Sequence, residues 1–397
     1  MTAEAAHETR MPERVALTGA DCPGVRPRFA VEQGQRVARG ETVFVDRARP
    51  EIAFAAPMAG TVARVEYGPR RTLGSLVIAR EERDDAVTKR PEDVRAALLA
   101  RGLWPAFRTR PFGRIPDPDA VPDAIFVIAC EPDPAAPDPA AVITQAGDTF
   151  ARGLKHLTRL TEGPVWVCQH PGANLAPVSD RVRVSDSGRR PAERTAAAHV
   201  HRCRSVADTG TVWTVGYQDV MSVGALMETG RFDATRTVML TGPLARRPRA
   251  IQTVAGADLR DLSAGEVTLG VRGLRLFSGT PSAGRQAAWL GRDHRIVTLD
   301  ATPPRRRPAH RTWLGLRAET GPRPIIPSDR LDHALPRGIY AAPLMRALAV
   351  GDAETAERLG CLDLLEDDVA LLSPLCTSGA DYRPLLRRVL DELEEAR

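Results

Sequence analysis

Ala124-Ile-Phe-Val-Ile-Ala-Cys130 is the longest clean apolar run in the chain, and the residues after it decide the fold. It is long enough for one buried strand and far short of the roughly 18–20 apolar residues a membrane-spanning helix needs. Downstream, Val142, Ile143, Ala146, Phe150, Leu154, Leu157 and Leu160 recur by threes and fours, the period of an amphipathic helix. Gly163-Pro164 breaks that helix, and Val165-Trp-Val-Cys168 reads as a second strand. Strand, helix and strand at this spacing form a βαβ unit, which implies a parallel sheet. The pattern recurs as strand Val212-Trp-Thr-Val215, a helix from Gln218 to Glu228 closed by Gly230, and strand Thr237-Val-Met-Leu240.

A parallel sheet invites a nucleotide, and its first loop argues against one. The turn after Cys130 reads Glu131-Pro-Asp-Pro-Ala-Ala-Pro-Asp-Pro139. It has no glycine, and its prolines lack the backbone N–H groups that cradle a pyrophosphate. Neither G-x-G-x-x-G nor G-x-x-x-x-G-K-[ST] occurs anywhere in the sequence.

Toward the N-terminus the texture changes to two related halves, Val31-Glu-Gln-Gly34 to Val45 and Ala56-Pro57 to Gly68. Short alternating strands with glycine at the turns predict a small flattened β-sandwich. The halves resemble a biotinyl/lipoyl carrier domain, which presents a modifiable lysine on the hairpin between them. Here that hairpin is Arg47-Ala-Arg-Pro50-Glu51, and no lysine lies nearer than Lys89. An arginine cannot form the amide to biotin or lipoate. Toward the C-terminus, residues 236–335 are rich in Gly and short strands, a mixed α+β pattern. Asp352 caps a helix that Gly360 ends, and Asp381 precedes a last helix with Leu385, Leu386, Val389, Leu390 and Leu393 on one face.

Composition narrows the function classes. With 397 residues and 43% hydrophobic content the chain can build several cores. Met1 to Arg14 lack an apolar signal core, so the chain reads as cytosolic. The net charge of +5 rests on arginine, since Lys89 and Lys155 are the two lysines. Acids are interleaved with it, which argues against nucleic acid, and the Pro-broken basic stretch Pro303 to Arg311 reads as an exposed loop. Six scattered cysteines, none in C-x-x-C, predict reduced thiols and no iron–sulfur or four-cysteine zinc site. His199-Val-His201-Arg-Cys203 would set three metal-competent side chains on one face of a strand, but alternation does that for any residues and a fourth ligand would have to come from elsewhere, so structural or surface histidines are the expected reading. Glu131 with Asp133, and Asp363 with Asp367-Asp368, are conceivable acid–base pairs that read as solvated surface. No nucleophile–base constellation stands out.

The sharpest segment is Gly102-Leu-Trp-Pro-Ala-Phe-Arg-Thr-Arg-Pro-Phe112, in a chain that is only 5% aromatic. Its prolines predict an extended loop. Trp104, Phe107 and Phe112 with Arg108 and Arg110 have the composition of an interface anchor, or of a grip on a quinone head. The other reading is that the rings plug a domain junction and the arginines satisfy carboxylates. Two alternating arginines between prolines favour a second chain, so replacing both should leave folding intact and weaken assembly.

That segment resembles the A-type subunit of the sodium-translocating NADH:quinone reductases. Collinear matches are Gly24-Val-Arg-Pro27, Ala56-Pro-Met-Ala-Gly-Thr-Val62, Leu157-Thr-Arg-Leu160, Gly216-Tyr-Gln-Asp-Val220, Leu240-Thr-Gly-Pro243 and Gly360-Cys-Leu-Asp-Leu364. The resemblance implies an α/β multidomain plan: a biotinyl/lipoyl-like β-sandwich (1–90), a Rossmann-like parallel-sheet domain (91–235), a β-grasp soluble-ligand-binding module (236–335) and C-terminal helices (336–397). It implies a peripheral protein on the inner face of the cell membrane, docked on flavin-bearing and membrane subunits, chiefly the B-type one, with a quinone-binding role open. NADH, flavins, iron–sulfur and quinone belong to the complex, with no cofactor, metal or catalytic residue in this chain. A docking protein without a ligand and a stand-alone ligand-binding module are the alternatives. The sequence departs from the pattern at Met1–Arg14, at Arg190-Pro-Ala-Glu-Arg-Thr-Ala-Ala-Ala-His199, at Leu372 where the partner of Cys376 would stand, and in the shortened region around 300–330.

Overall fold

Gly60–Tyr67 starts buried and runs out into solvent, while Leu73–Arg80 is buried at Leu73 and from Ser75 to Ile78, so the second strand is the more central of the antiparallel pair. A computed structural model describes residues 8–82, 86–177, 179–203, 210–268, 273–302 and 323–397; the basic stretch 303–311 lies outside them. The N-terminal strands are β1 (Glu8–Thr9), β2 (Arg14–Thr18), β3 (Pro27–Phe29), β4 (Arg36–Val37), β5 (Thr42–Asp46), β6 (Ala53–Ala55), β7 (Gly60–Tyr67) and β8 (Leu73–Arg80). They form a four-stranded sheet, β2-β8-β7-β4, and a three-stranded one, β3-β5-β6. Phe44 and Phe54 stack across β5 and β6 with centroids 4.4 Å apart. The hairpin at 47–51 joins β5 to β6. Its Arg49 reaches Asp46 and also Ile115 O and Asp117 of the next unit.

The second unit holds α1 (Val94–Ala100), β9 (Arg108–Arg110), β10 (Ala124–Ala129), α2 (Pro139–Gln145), α3 (Thr149–Leu157), β11 (Val165–Gln169), β12 (Val182–Asp186), α4 (Ala196–Cys203), β13 (Val212–Gly216) and α5 (Tyr217–Thr229). Its sheet runs β12-β11-β10-β13-β9, parallel except for β9. Three expectations change here. The single helix predicted over 142–160 is two, because Gly147 takes a left-handed φ of 59° between them. His199 to Cys203 lie on α4 and not on a strand. The segment 102–112 is no extended loop: Trp104–Ala106 form a 3-10 turn and Arg108–Arg110 pair with β13. Helices α3 and α5 cross closely because Gly153 and Gly224 face each other's helix. A Cβ on Gly153 would lie 2.1 Å from Val220 O.

The third unit is β14 (Thr235–Thr241), β15 (Arg249–Val254), α6 (Leu259–Ser263), β16 (Leu274–Ser278), β17 (Arg285–Gln286) and β18 (Ile296–Ala301). Strand β14 leaves the parallel sheet and starts another, ordered β1-β15-β14-β18-β16-β17. The second strand–helix–strand pattern therefore bridges two sheets instead of extending one. Beside it, β1 from the chain's start pairs in parallel with β15. The last unit is helical: α7 (Asp329–Asp332), α8 (Ala341–Val350), α9 (Ala353–Arg358), α10 (Leu372–Leu375) and α11 (Tyr382–Glu395). Asp352 and Asp381 cap α9 and α11 as expected. Leu386, Val389, Leu390 and Leu393 are buried in its core, while Leu385 packs at the edge.

Candidate functional site

In an open parallel sheet, ligands bind beyond the carboxyl ends of the strands where the strand order reverses. Here that place lies between β10 and β13, below the Glu131–Pro139 loop and the start of α5. Protein side chains occupy its β13 side, while a pocket stays open over the ends of β10 and β11. Tyr217 is 1% exposed, and burial raises its hydroxyl pKa. Arg295 arrives from the third unit and sits 2.9 Å from where a Cβ on Gly216 would stand. Burial pushes Glu131 up to about 7, with Asp133 adding and Arg295 opposing. Glu131 is thus half-buried at the wall of a pocket of about 440 Å³ shared with Asp133, His170 and Arg194, and is not freely solvated surface.

Next to this crest, Asp219 of α5 accepts from Arg236 at 2.5 Å and Arg292 at 3.2 Å, both from the third unit. Burial alone would raise its pKa, but Arg236, Arg292 and Arg295 hold it below the usual carboxylate range. This ion cluster seals the second unit to the third. Its members are far apart in sequence, so no motif could announce it.

The aromatic segment is a brace of the same kind. Trp104 and Phe107 are fully buried with Trp213, ring centroids 5.3–5.8 Å apart, and Trp104 donates to Pro116 O at 2.9 Å. Arg110, 4% exposed, bonds Asp368 at 2.9 Å and also donates to Asp363 O. Phe112 is half-buried under Arg397, against the helical unit. The exposed anchor expected of Trp104, Phe107 and Arg110 is therefore corrected: two rings plug a junction and one arginine satisfies a carboxylate. Asp368, read as solvated, is that buried carboxylate. His201 likewise ties α4 to the helical unit through Asp363, 2.7 Å from its Nδ1.

Arg108 is the member of the five that borders open space, with its guanidinium donating to the carbonyls of Pro105, Phe107 and Asp21. It lines a cleft of about 530 Å³ where all four units meet. Asp21 from the first unit holds Arg285 from the third at 2.6 Å. Arg114 of the second holds Asp391 and Glu394 of α11 at 2.7 and 2.5 Å. Arg387 donates to Phe112 O at 2.8 Å. Asp367 opens onto the cleft, yet the enclosing walls push it up to about 6, with Asp368, Asp293 and Glu366 adding. His294 is driven down to about 4 by burial, and Ser278 Oγ lies 2.7 Å from its Nδ1. The cleft can hydrogen-bond a polar ligand from several sides and exchange a proton at Asp367. The neighbouring thiol, Cys22, is raised to about 12 by burial and is no nucleophile. No group of three His, Cys, Asp or Glu side chains able to hold a metal occurs among the described residues. His199 instead bridges Ser185 Oγ (2.8 Å) and Cys130 Sγ (3.4 Å) in a buried cluster.

Comparison with known proteins agrees with this architecture. Residues 1–81 match the family profile of the NqrA N-terminal barrel-sandwich hybrid domain, and residues 89–232 that of the NqrA second alpha/beta domain. The A-type subunit of the Na(+)-translocating NADH-quinone reductase of Neisseria gonorrhoeae is 36% identical over 421 residues, covering 96% of this chain and 93% of that one. Its counterpart from Serratia proteamaculans is 35% identical over 434 residues, covering 99% and 96%. Among solved structures, an NAD+-reducing NiFe-hydrogenase in the air-oxidized state matches with a TM-score of 0.36 at 11% identity, over 68% of this chain and 54% of that one, too slight a likeness to assign anything. The chain belongs to the NqrA family, the A-type subunits of the Na(+)-translocating NADH-quinone reductases.

Proposed function

We propose that this chain is the peripheral, cofactor-free subunit of an ion-translocating NADH:quinone oxidoreductase. In this reading it docks at the inner face of the membrane on partner subunits, chiefly the B-type one, and those partners hold the flavins and iron–sulfur centres. The observation that carries the proposal is the blocked β10–β13 side of the crest. Tyr217, Arg295 and a glycine-free proline loop stand where a parallel sheet would receive a dinucleotide. No helix among the described residues is long and apolar enough to cross a membrane, which accords with peripheral attachment. The strand order β15-β14-β18-β16-β17, with β14 and β18 parallel at its centre, supports the β-grasp reading of residues 236–335. A contact with the quinone head is assigned to Arg108, since it lines the four-unit cleft.

The test is the purified chain alone. It should be colourless, free of flavin and iron, and inert toward NADH. When co-expressed, it should purify with its membrane partners. Stoichiometric flavin in the isolated chain would overturn the proposal.

A further inference from the structure

Most arginines in the cleft and crest are matched to carboxylates, but one edge of the N-terminal unit is not. Arg26, Arg28, Arg47, Arg70 and Arg71 are all exposed, and none makes an ion pair among the described residues. Neighbours show that pairing was available, since Arg49 holds Asp46 and Arg64 holds Glu66. The five lie together. Arg47 N donates to Arg26 O at 2.8 Å, and Leu73 N donates to Val25 O at 3.2 Å, which sets the β7–β8 turn beside the start of β3. No acid occurs in residues 23–31 or 67–72; Glu51 is the exposed acid of the adjoining hairpin.

Two further features mark this edge. Arg70 and Arg71 take left-handed φ values of 53° and 60°, a conformation unfavourable for any side chain with a Cβ. Their side chains gain no burial that would offset it. Beside them Tyr67 is 50% exposed, packed on Phe29 with centroids 5.1 Å apart and covered by the Arg71 guanidinium at 5.3 Å. A half-exposed tyrosine among unpaired guanidinium groups has one apolar and one wet end, as side chains at a membrane–water boundary do. Guanidinium forks match phosphate oxygens bidentately.

We infer that this edge, formed by Arg26, Arg28, Arg47, Arg70, Arg71 and Tyr67, lies against the anionic phosphate headgroups of the membrane surface. The inference rests on the peripheral-subunit reading and adds a lipid contact to the protein contacts that reading requires. The inner leaflet is negatively charged, and each arginine near it contributes to attraction that salt screens.

The test is sedimentation of the full chain with vesicles of phosphatidylcholine, with and without phosphatidylglycerol, at low and high ionic strength. The unmodified chain should bind the anionic vesicles at low salt and not the neutral ones. The variant R26Q/R28Q/R70Q/R71Q should bind roughly a thousandfold less. A control of equal charge change at exposed sites elsewhere, R260Q/R323Q/R330Q/R346Q, should bind nearly as the parent does. Equal losses in both variants would reduce the effect to net charge, and no binding by the parent would remove it; either overturns the inference. If the first variant binds vesicles normally but loses detergent-solubilised partner subunits, the edge faces an acidic protein and the lipid assignment is wrong. Co-purification of the unmodified chain with those partners reports separately on the function proposed above.

Discussion

Arg110→Ala distinguishes a brace from an anchor. The Arg110 and Asp368 side chains are 5% and 4% exposed, and the guanidinium also satisfies the Asp363 carbonyl. Removing the arginine strands a buried carboxylate, a change that costs about 3–5 kcal/mol when one member of a buried pair is lost. Asp368 Oδ2 keeps one donor, the Leu365 N–H at 2.8 Å, so the lower end applies, about 3 kcal/mol. Urea unfolding read by tryptophan fluorescence suits the site, because Trp104 and Trp213 lie beside β9. For a transition with a slope of about 2 kcal/mol/M, the midpoint should fall by about 1.5 M. Replacing both partners, as in R110M/D368L, removes the stranded charge and should recover at least half of that loss. An R110A variant that unfolds at the parent midpoint while failing to join its partners would refute this reasoning and restore the exposed anchor.

Three more outcomes follow from the geometry. G153A or G224A should destabilise by about 2 kcal/mol or more, because the new methyl would meet backbone carbonyls at 2.1 Å; thermal unfolding of each variant checks it. Glu131 has a folded pKa raised by burial to about 7, so its ionised form opposes folding above that pH and the penalty fades as pH falls toward the unfolded value. E131Q should therefore gain roughly 1–2 kcal/mol at pH 8 and almost nothing at pH 5, read from urea midpoints at both. Burial lowers His199 to about 3, so the unfolded chain takes up its proton first and stability falls as pH drops below the unfolded value of 6.5. H199N should flatten that decline by up to about 1.4 kcal/mol per pH unit, measured between pH 6.5 and 5.

What could be read from sequence was whatever periodicity and turn chemistry encode. The strand at 124–129, the helix closed by Gly230 and the Asp-capped helices α9 and α11 all rest on local signals, and the structure has them. The misreadings share a cause, which is that burial is decided by partners distant in the chain. Arg108-Thr-Arg110 is too short and too polar to announce a strand, yet β13 supplies its hydrogen bonds and Asp368, 258 residues away, supplies its counter-charge. Trp104 and Phe107 have the same composition whether they face a partner or Trp213. His199 and Cys203 follow an alanine run on a short helix, and a five-residue alternation cannot tell that helix from a strand. The Asp219 cluster draws on residues 17 and 73 positions away, beyond the reach of any spacing rule.

These distant pairings also explain where the open space went. A parallel sheet ordinarily keeps its crevice free because nothing covers the ends of its strands. Here the third unit is pulled over that end by Asp219 and sets Arg295 against Gly216, so the β13 side of the crevice closes as the units seal together. The helical unit is held on the other side by Arg110 and by His201 with Asp363. With both seams closed, the walls still part where all four units converge, and there they leave a cleft edged by Arg108 and Asp367. A ligand in that cleft would touch every unit at once. Its binding would therefore depend on their relative placement, and loosening either seam should disturb the cleft without altering any residue that lines it.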